Sequence, residues 1–176
     1  MSEASDRQKL IKERLKEEED FARIQTGIIR QMVFDELKNT KDFSDEDIEI
    51  DREFIILLDG KEDKASVDFI IKIDDKRLAS IKCSLASIES RERHILAFSR
   101  VVDEYIIPFS VVTDGIHARV MDTASGKLLS ETLQGIPSKT ELEILDWALM
   151  KCPEERLEKE KRILLAFQTI SCPIDY

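Results

Sequence analysis

The stretch ASVDFIIKIDDKRLASIKCS, residues 65–84, decides the fold. Val67, Phe69, Ile70, Ile71 and Ile73 make an apolar, β-branched run. Asp-Asp-Lys-Arg at 74–77 is a polar turn, and residues 78–83 return as a second apolar segment. This composition and punctuation predict two neighbouring antiparallel strands. One acid, Asp68, interrupts the most hydrophobic part of the chain. A buried carboxylate is costly unless it is paired, hydrogen-bonded or bound to a metal. Alternation alone leaves two readings open. Asp68 faces solvent at a strand edge, or it is a metal ligand at the sheet centre with Lys82 on the adjacent strand as its cationic partner.

Working outward, residues 4–20 are dense in Lys, Arg and Glu, with Leu10, Ile11 and Leu15 as a thin apolar line. They predict a largely exposed helix. Phe21, Ile24, Ile28 and Met32, with Ile29, Val33 and Leu37, follow at helical spacing and predict a helix packed on the sheet. Gly27 costs about 1 kcal/mol relative to Ala, so a kink or break is expected there. Arg30, Gln31 and Glu36 are the polar residues of this helix. Residues 48–51 and 54–58 read as strands, with a turn at Asp59-Gly60.

On the other side of the hairpin, residues 87–103 read as a helix, with Arg91, Glu92 and Arg93 on its first turns and His94 as a packing residue. Residues 106–112 and 117–121 read as strands, with turns at 113–115 and 122–126. Strand, helix, strand is a crossover unit, which puts helices on both faces of a mixed sheet. Ser138 with Glu141 three residues on is a capping box that opens a helix carrying Leu142, Leu145, Trp147 and Leu149. A last helix starts after Pro153, with Leu157, Leu164 and Phe167 facing inward. The expected organisation is an N-terminal helical extension (1–21), a core (22–136) and a C-terminal helical pair (137–176). No chemistry is expected in that pair.

The chain is long enough for one domain with a real core. No apolar run reaches the length of a membrane span, and no signal peptide is read at the start. Three cysteines and two histidines, without ligand spacing, make a zinc site a poor fit and a reducing cytoplasm the natural compartment. The net charge of −10 argues against a protein that holds nucleic acid tightly alone, because phosphate neutralisation dominates such binding. Residues 42–64 hold ten acids against three bases, so any DNA surface is expected elsewhere.

An Asp on one strand and a Lys fourteen positions later on the next resembles the skeleton of a PD-(D/E)XK nuclease site. There, two carboxylates hold a divalent metal, and a lysine two residues after the second carboxylate acts on the attacking water. With Lys82 as that lysine, the acidic position falls on Ser80. In the other register the acid becomes Lys82 and the lysine Ser84. Either way an acid is missing.

The order of the landmarks resembles the N-terminal domain of the type I restriction enzyme R protein. They are Arg30-Gln31, Val67 to Ile71, Ile81-Lys82-Cys83, PFSVVTDG at 108–115 and the turn at 122–126, and the resemblance spans residues 22–138. It implies a restriction-endonuclease-like α/β fold, a mixed sheet flanked by helices, that cuts DNA with Mg²⁺. With no Walker-type loop in the chain, the expectation is a relative that stands without the helicase motor. By position, Asp68 resembles the metal-binding Asp, Lys82 the motif lysine, and Gln31 the helix polar residue near the site. Glu36, Glu89 and Glu92 are the candidates for a migrated acid, Glu36 as the metal ligand, and Arg91 and Arg93 for phosphate contacts. Two functions follow: a nuclease-derived module with a degenerate site, acting weakly on DNA or through a protein partner, or an active Mg²⁺-dependent endonuclease.

Overall fold

In the computed structural model, residues 3–171 are described, so Cys172 lies outside the described residues. Among the described residues, twelve α-helices and strands follow in order. They are α1 (Glu3–Asp35), β1 (Ile48–Ile50), β2 (Phe54–Leu58), β3 (Lys61–Ala65), β4 (Phe69–Ile73), β5 (Lys76–Cys83), α2 (Glu92–Val101), β6 (Phe109–Thr113), β7 (His117–Asp122), β8 (Leu128–Thr132), α3 (Lys139–Ile144) and α4 (Glu154–Ser171), with a π-helical turn (Glu36–Thr40) closing α1. Six strands form a mixed sheet in the order β1-β4-β5-β6-β7-β8, and β2 and β3 form a separate hairpin.

The expected central hairpin is present: β4 and β5 are antiparallel neighbours, with Phe69 opposite Ile81 and Ile70 opposite Ser80. Its turn places Asp74 and Asp75 at positive φ, 48° and 64°. Two successive left-handed residues suit the right-handed twist of a two-residue hairpin, and Asp tolerates that conformation better than most side chains. From β5 the chain crosses through α2 to β6, which lies parallel to β5.

Alternation along the strands divides the core in two. Ile71, Ile81, Val111 and Val120 face Ile29, Val33 and Leu37 from the end of α1. Ile70, Val112 and Met121 face Ile95 and Phe98 of α2 and Leu164 of α4. Fully burying one such side chain contributes about 1.5–3 kcal/mol, so the register is strongly specified. Among the described residues no helix is long and apolar enough to cross a membrane.

Two local expectations are corrected. Helix α1 runs unbroken through Gly27, which has open space on the side where a side chain would project. One exposed glycine costs about 1 kcal/mol, too little to interrupt a long helix whose end packs on the sheet. The helix expected to carry Leu145, Trp147 and Leu149 ends at Ile144. Trp147 instead donates its ring N–H to the Leu142 carbonyl and packs edge-on against Phe109, so tertiary contacts use these side chains from an extended segment. Strands β3 and β8 went unread. Four of the five residues of β3, KEDKA, are exposed, so no apolar alternation marks it.

Candidate functional site

Three strands bring their charged residues to one end of the sheet. Asp68 directly precedes β4. The β4–β5 register sets it opposite Lys82. On the other side, Ile50 pairs with Phe69, so Asp51 comes beside Asp68, and its N–H donates to the Asp68 carbonyl at 3.2 Å. Of these three side chains only Asp68 is buried, 5 % exposed, while Lys82 is about one-third exposed and Asp51 mostly exposed.

Asp68 is fully engaged. Its Oδ2 accepts the Cys83 N–H at 2.8 Å and lies 3.3 Å from Lys82 Nζ. Its Oδ1 accepts from Arg30 Nη1 at 2.8 Å. Arg30 reaches down from α1, lies over the Phe69 ring, and makes a bidentate pair with Asp51 at 2.8 and 2.7 Å. One guanidinium nitrogen therefore bridges both carboxylates. The hydrogen bonds that Arg30 donates to Asp51 hold its guanidinium above its ordinary value against the opposing effect of burial. Two acids and two bases form a self-neutralised cluster, and the charged partners supply what a buried carboxylate requires.

Ser80, two residues before Lys82, is fully buried under α2. Its hydroxyl is hydrogen-bonded to that of Ser99. Ser99 accepts from Ser110 at 2.8 Å, Ser110 bonds Thr123 at 2.8 Å, and Ser99 donates to the Ile95 carbonyl. A run of four buried hydroxyls therefore leads from Ser80 to Thr123. Burial pushes the Cys83 thiol up to about 12 and the His94 imidazole down to about 4, so each is neutral near pH 7.

The other expected residues lie apart from this cluster in their contacts. Gln31 is exposed and bonds Asp35 of its own helix, while its neighbour Arg30 is the residue turned towards Asp68. Glu36 accepts from Thr40 within the π-helical turn. Glu89 accepts from Ser87, and Glu92 pairs with Arg119. Arg91 lies half-buried on the turn before α2, and Arg93 pairs with Glu160 of α4 at 2.8 Å. Glu160 is buried and also meets Arg100 at 3.0 Å. Burial raises its carboxyl, but Arg93 and Arg100 outweigh this and leave it below the ordinary carboxylate range.

Asp51, Arg30 as the bridging cation, the hydroxyl chain and Glu160 all escaped sequence reasoning. Asp51 sits in a run of acids with nothing to single it out. Glu160 is one of many charged residues on α4. The adjacency of Arg30 to Gln31 was the one usable signal, since a helix turns about 100° between neighbours and only one of the two can face the sheet.

A divalent ion such as Mg²⁺ needs oxygen ligands that are not already committed. Both Asp68 oxygens are committed here, and among the described residues no group of three or more His, Cys, Asp or Glu side chains is placed to hold a metal. As arranged, the residues do not fit Mg²⁺.

No curated protein and no solved structure matches the chain. The family model described as type I restriction enzyme R protein N terminus matches residues 26–137, from the last third of α1 to the loop before α3. That stretch is more than half of the chain and contains the whole sheet and Arg30, Asp51, Asp68, Ser80 and Lys82, and on this match the chain belongs to the type I restriction enzyme R protein N-terminal family.

Proposed function

We propose that this protein is a PD-(D/E)XK nuclease-fold module whose centre has become a structural ion-pair cluster, acting in DNA restriction or processing by binding rather than by cutting. One observation carries the reading: both Asp68 oxygens are taken, by Arg30 on one side and by Lys82 and the Cys83 N–H on the other. Position 80 supports it, because a serine locked in a hydroxyl chain adds no negative charge. DNA contact is weak or made with a protein partner, since the net charge is −10. Arg91 and Arg93 are the proposed phosphate contacts, with Gln31 on α1 as a separate polar contact to DNA. The acidic segment 42–64 faces away from nucleic acid, and DNA affinity falls as salt rises.

A second reading, an active Mg²⁺-dependent endonuclease, draws on the Arg30 bridge. Asp51 and Asp68 each lie 2.8 Å from the same guanidinium nitrogen, so a second carboxylate is close to the first. The experiment is plasmid nicking with Mg²⁺ or Mn²⁺, using wild type and Asp51→Ala, Asp68→Ala and Lys82→Ala. The expected result is no metal-dependent nicking by any of them. Nicking by wild type that is lost in Asp68→Ala and Lys82→Ala would overturn the binding-module reading. Loss in Asp51→Ala as well would name Asp51 as the second carboxylate, in place of Glu36, Glu89 or Glu92. Nicking that survives in all three variants marks a contaminant and leaves the expected result standing.

A further inference from the structure

About the first four-fifths of α1 stands away from the body. Residues 7–21 are all exposed, and the first buried position is Ile29. From residue 3 to residue 28 the arm is about 40 Å long. Along it, Leu10, Phe21, Ile24 and Ile28 are each more than half exposed. With Arg14 and Glu17 they fall at positions 10, 14, 17, 21, 24 and 28, alternating steps of four and three. That is the 3.5-residue repeat of a two-helix seam; it contains the polar pair Arg14 and Glu17 and continues N-terminally to Arg7. An isolated helix of ordinary composition is marginal in water and does not leave such a stripe uncovered without cost.

Charge says what covers it. Residues 7–16 contain five bases (Arg7, Lys9, Lys12, Arg14, Lys16) and one acid, and residues 17–20 are four acids. A parallel partner of the same sequence sets like charge against like. An antiparallel one sets the basic block of each copy against the acidic block of the other. We propose that two copies of this chain associate through an antiparallel pair of α1 arms centred between Arg14 and Glu17. In that register Leu10 meets Phe21 of the second copy and Arg14 meets its Glu17, each twice by symmetry. Position 3 of one copy then lies opposite position 28 of the other, so the overlap stops where the body begins at Ile29. Ile24 then meets Arg7, so Leu10–Phe21 is the apolar layer, formed twice, and the central Arg14–Glu17 pairs set the register.

The test uses the full chain, with Arg14→Glu and Glu17→Arg made separately, measured by sedimentation equilibrium. Each variant alone carries like charges at the central layer. The wild type is expected to dimerise, with about twice the 20.3 kDa chain mass, and each single variant to dissociate about tenfold more readily, since two attractive contacts become repulsive. An equimolar mixture of the two variants restores opposite charges at both central layers and is expected to recover wild-type association. Repair within one helix cannot explain that recovery, because no single chain regains its own Arg14–Glu17 pair. Circular dichroism of each variant checks that the arm stays helical. A monomeric wild type, single variants that dimerise unchanged, or a mixture no tighter than its components would each overturn the proposal. A monomer whose arm is helical and covered only by another protein is such an outcome.

Discussion

Replacing Asp68 with Asn tests how the charged cluster is held. The substitution keeps shape and one acceptor for the Cys83 N–H, but removes the charge that faces Arg30 and Lys82. Breaking a buried pair by removing one partner typically costs about 3–5 kcal/mol. Two features lower that figure here. Arg30 keeps both hydrogen bonds to Asp51, and Lys82 is 32 % exposed, so water takes up part of its charge. The remaining loss is about 2–3 kcal/mol, from one stranded ammonium and one amide donor turned towards another donor. With a urea slope of about 2 kcal/mol per M, the unfolding midpoint falls by about 1 M. A double-mutant cycle then isolates the cause. Lys82→Met in the Asp68→Asn background should recover part of the loss, with a coupling energy of about 1 kcal/mol or more. A midpoint for Asp68→Asn within about 0.2 M of wild type would refute the view that this cluster is structural.

Two further outcomes are expected. His94 is held down to about 4 by burial, with Lys82 and Arg91 acting in the same direction and Asp68 opposing them. The unfolded imidazole takes its proton near 6.5, so the stability this residue contributes is complete above about pH 6.5 and is lost as pH falls towards 4, by up to about 3 kcal/mol. Urea midpoints across that window should decline less steeply for His94→Leu than for wild type, and equal slopes would remove His94 as the cause. Glu160→Gln strands Arg100, which is 6 % exposed, and should cost about 3–5 kcal/mol in a thermal or urea melt. Arg93→Ala, at a partner 39 % exposed, should cost under about 1 kcal/mol, and a reversal of that ranking would show that Arg100 is not the dependent charge.

The sheet was legible where apolar periodicity and turn chemistry agreed. The β4–β5 hairpin follows from β-branched residues on either side of Asp74-Asp75, and the β5-α2-β6 crossover from one strong helical period between two apolar runs. These are local properties: side-chain shape, backbone preference and the spacing of apolar residues are written in neighbouring positions. The pairing of Asp68 with Lys82 followed too, because a short hairpin ties register to sequence separation. Beyond that, tertiary structure decided. Arg30 rather than Gln31 meets Asp68 because packing of Ile29, Val33 and Leu37 sets the rotation of α1. Asp51 joins the cluster because β1 lies beside β4, a pairing across a charged segment and the β2–β3 hairpin. Ser80 meets Ser99, Ser110 and Thr123 only when α2 lies on the sheet. Charge–charge contacts depend on distance in space, and a surface lysine and a buried one are written identically in the chain. The sequence could therefore say that Asp68 needed partners, while the fold chose Arg30, Lys82 and a backbone N–H to be those partners.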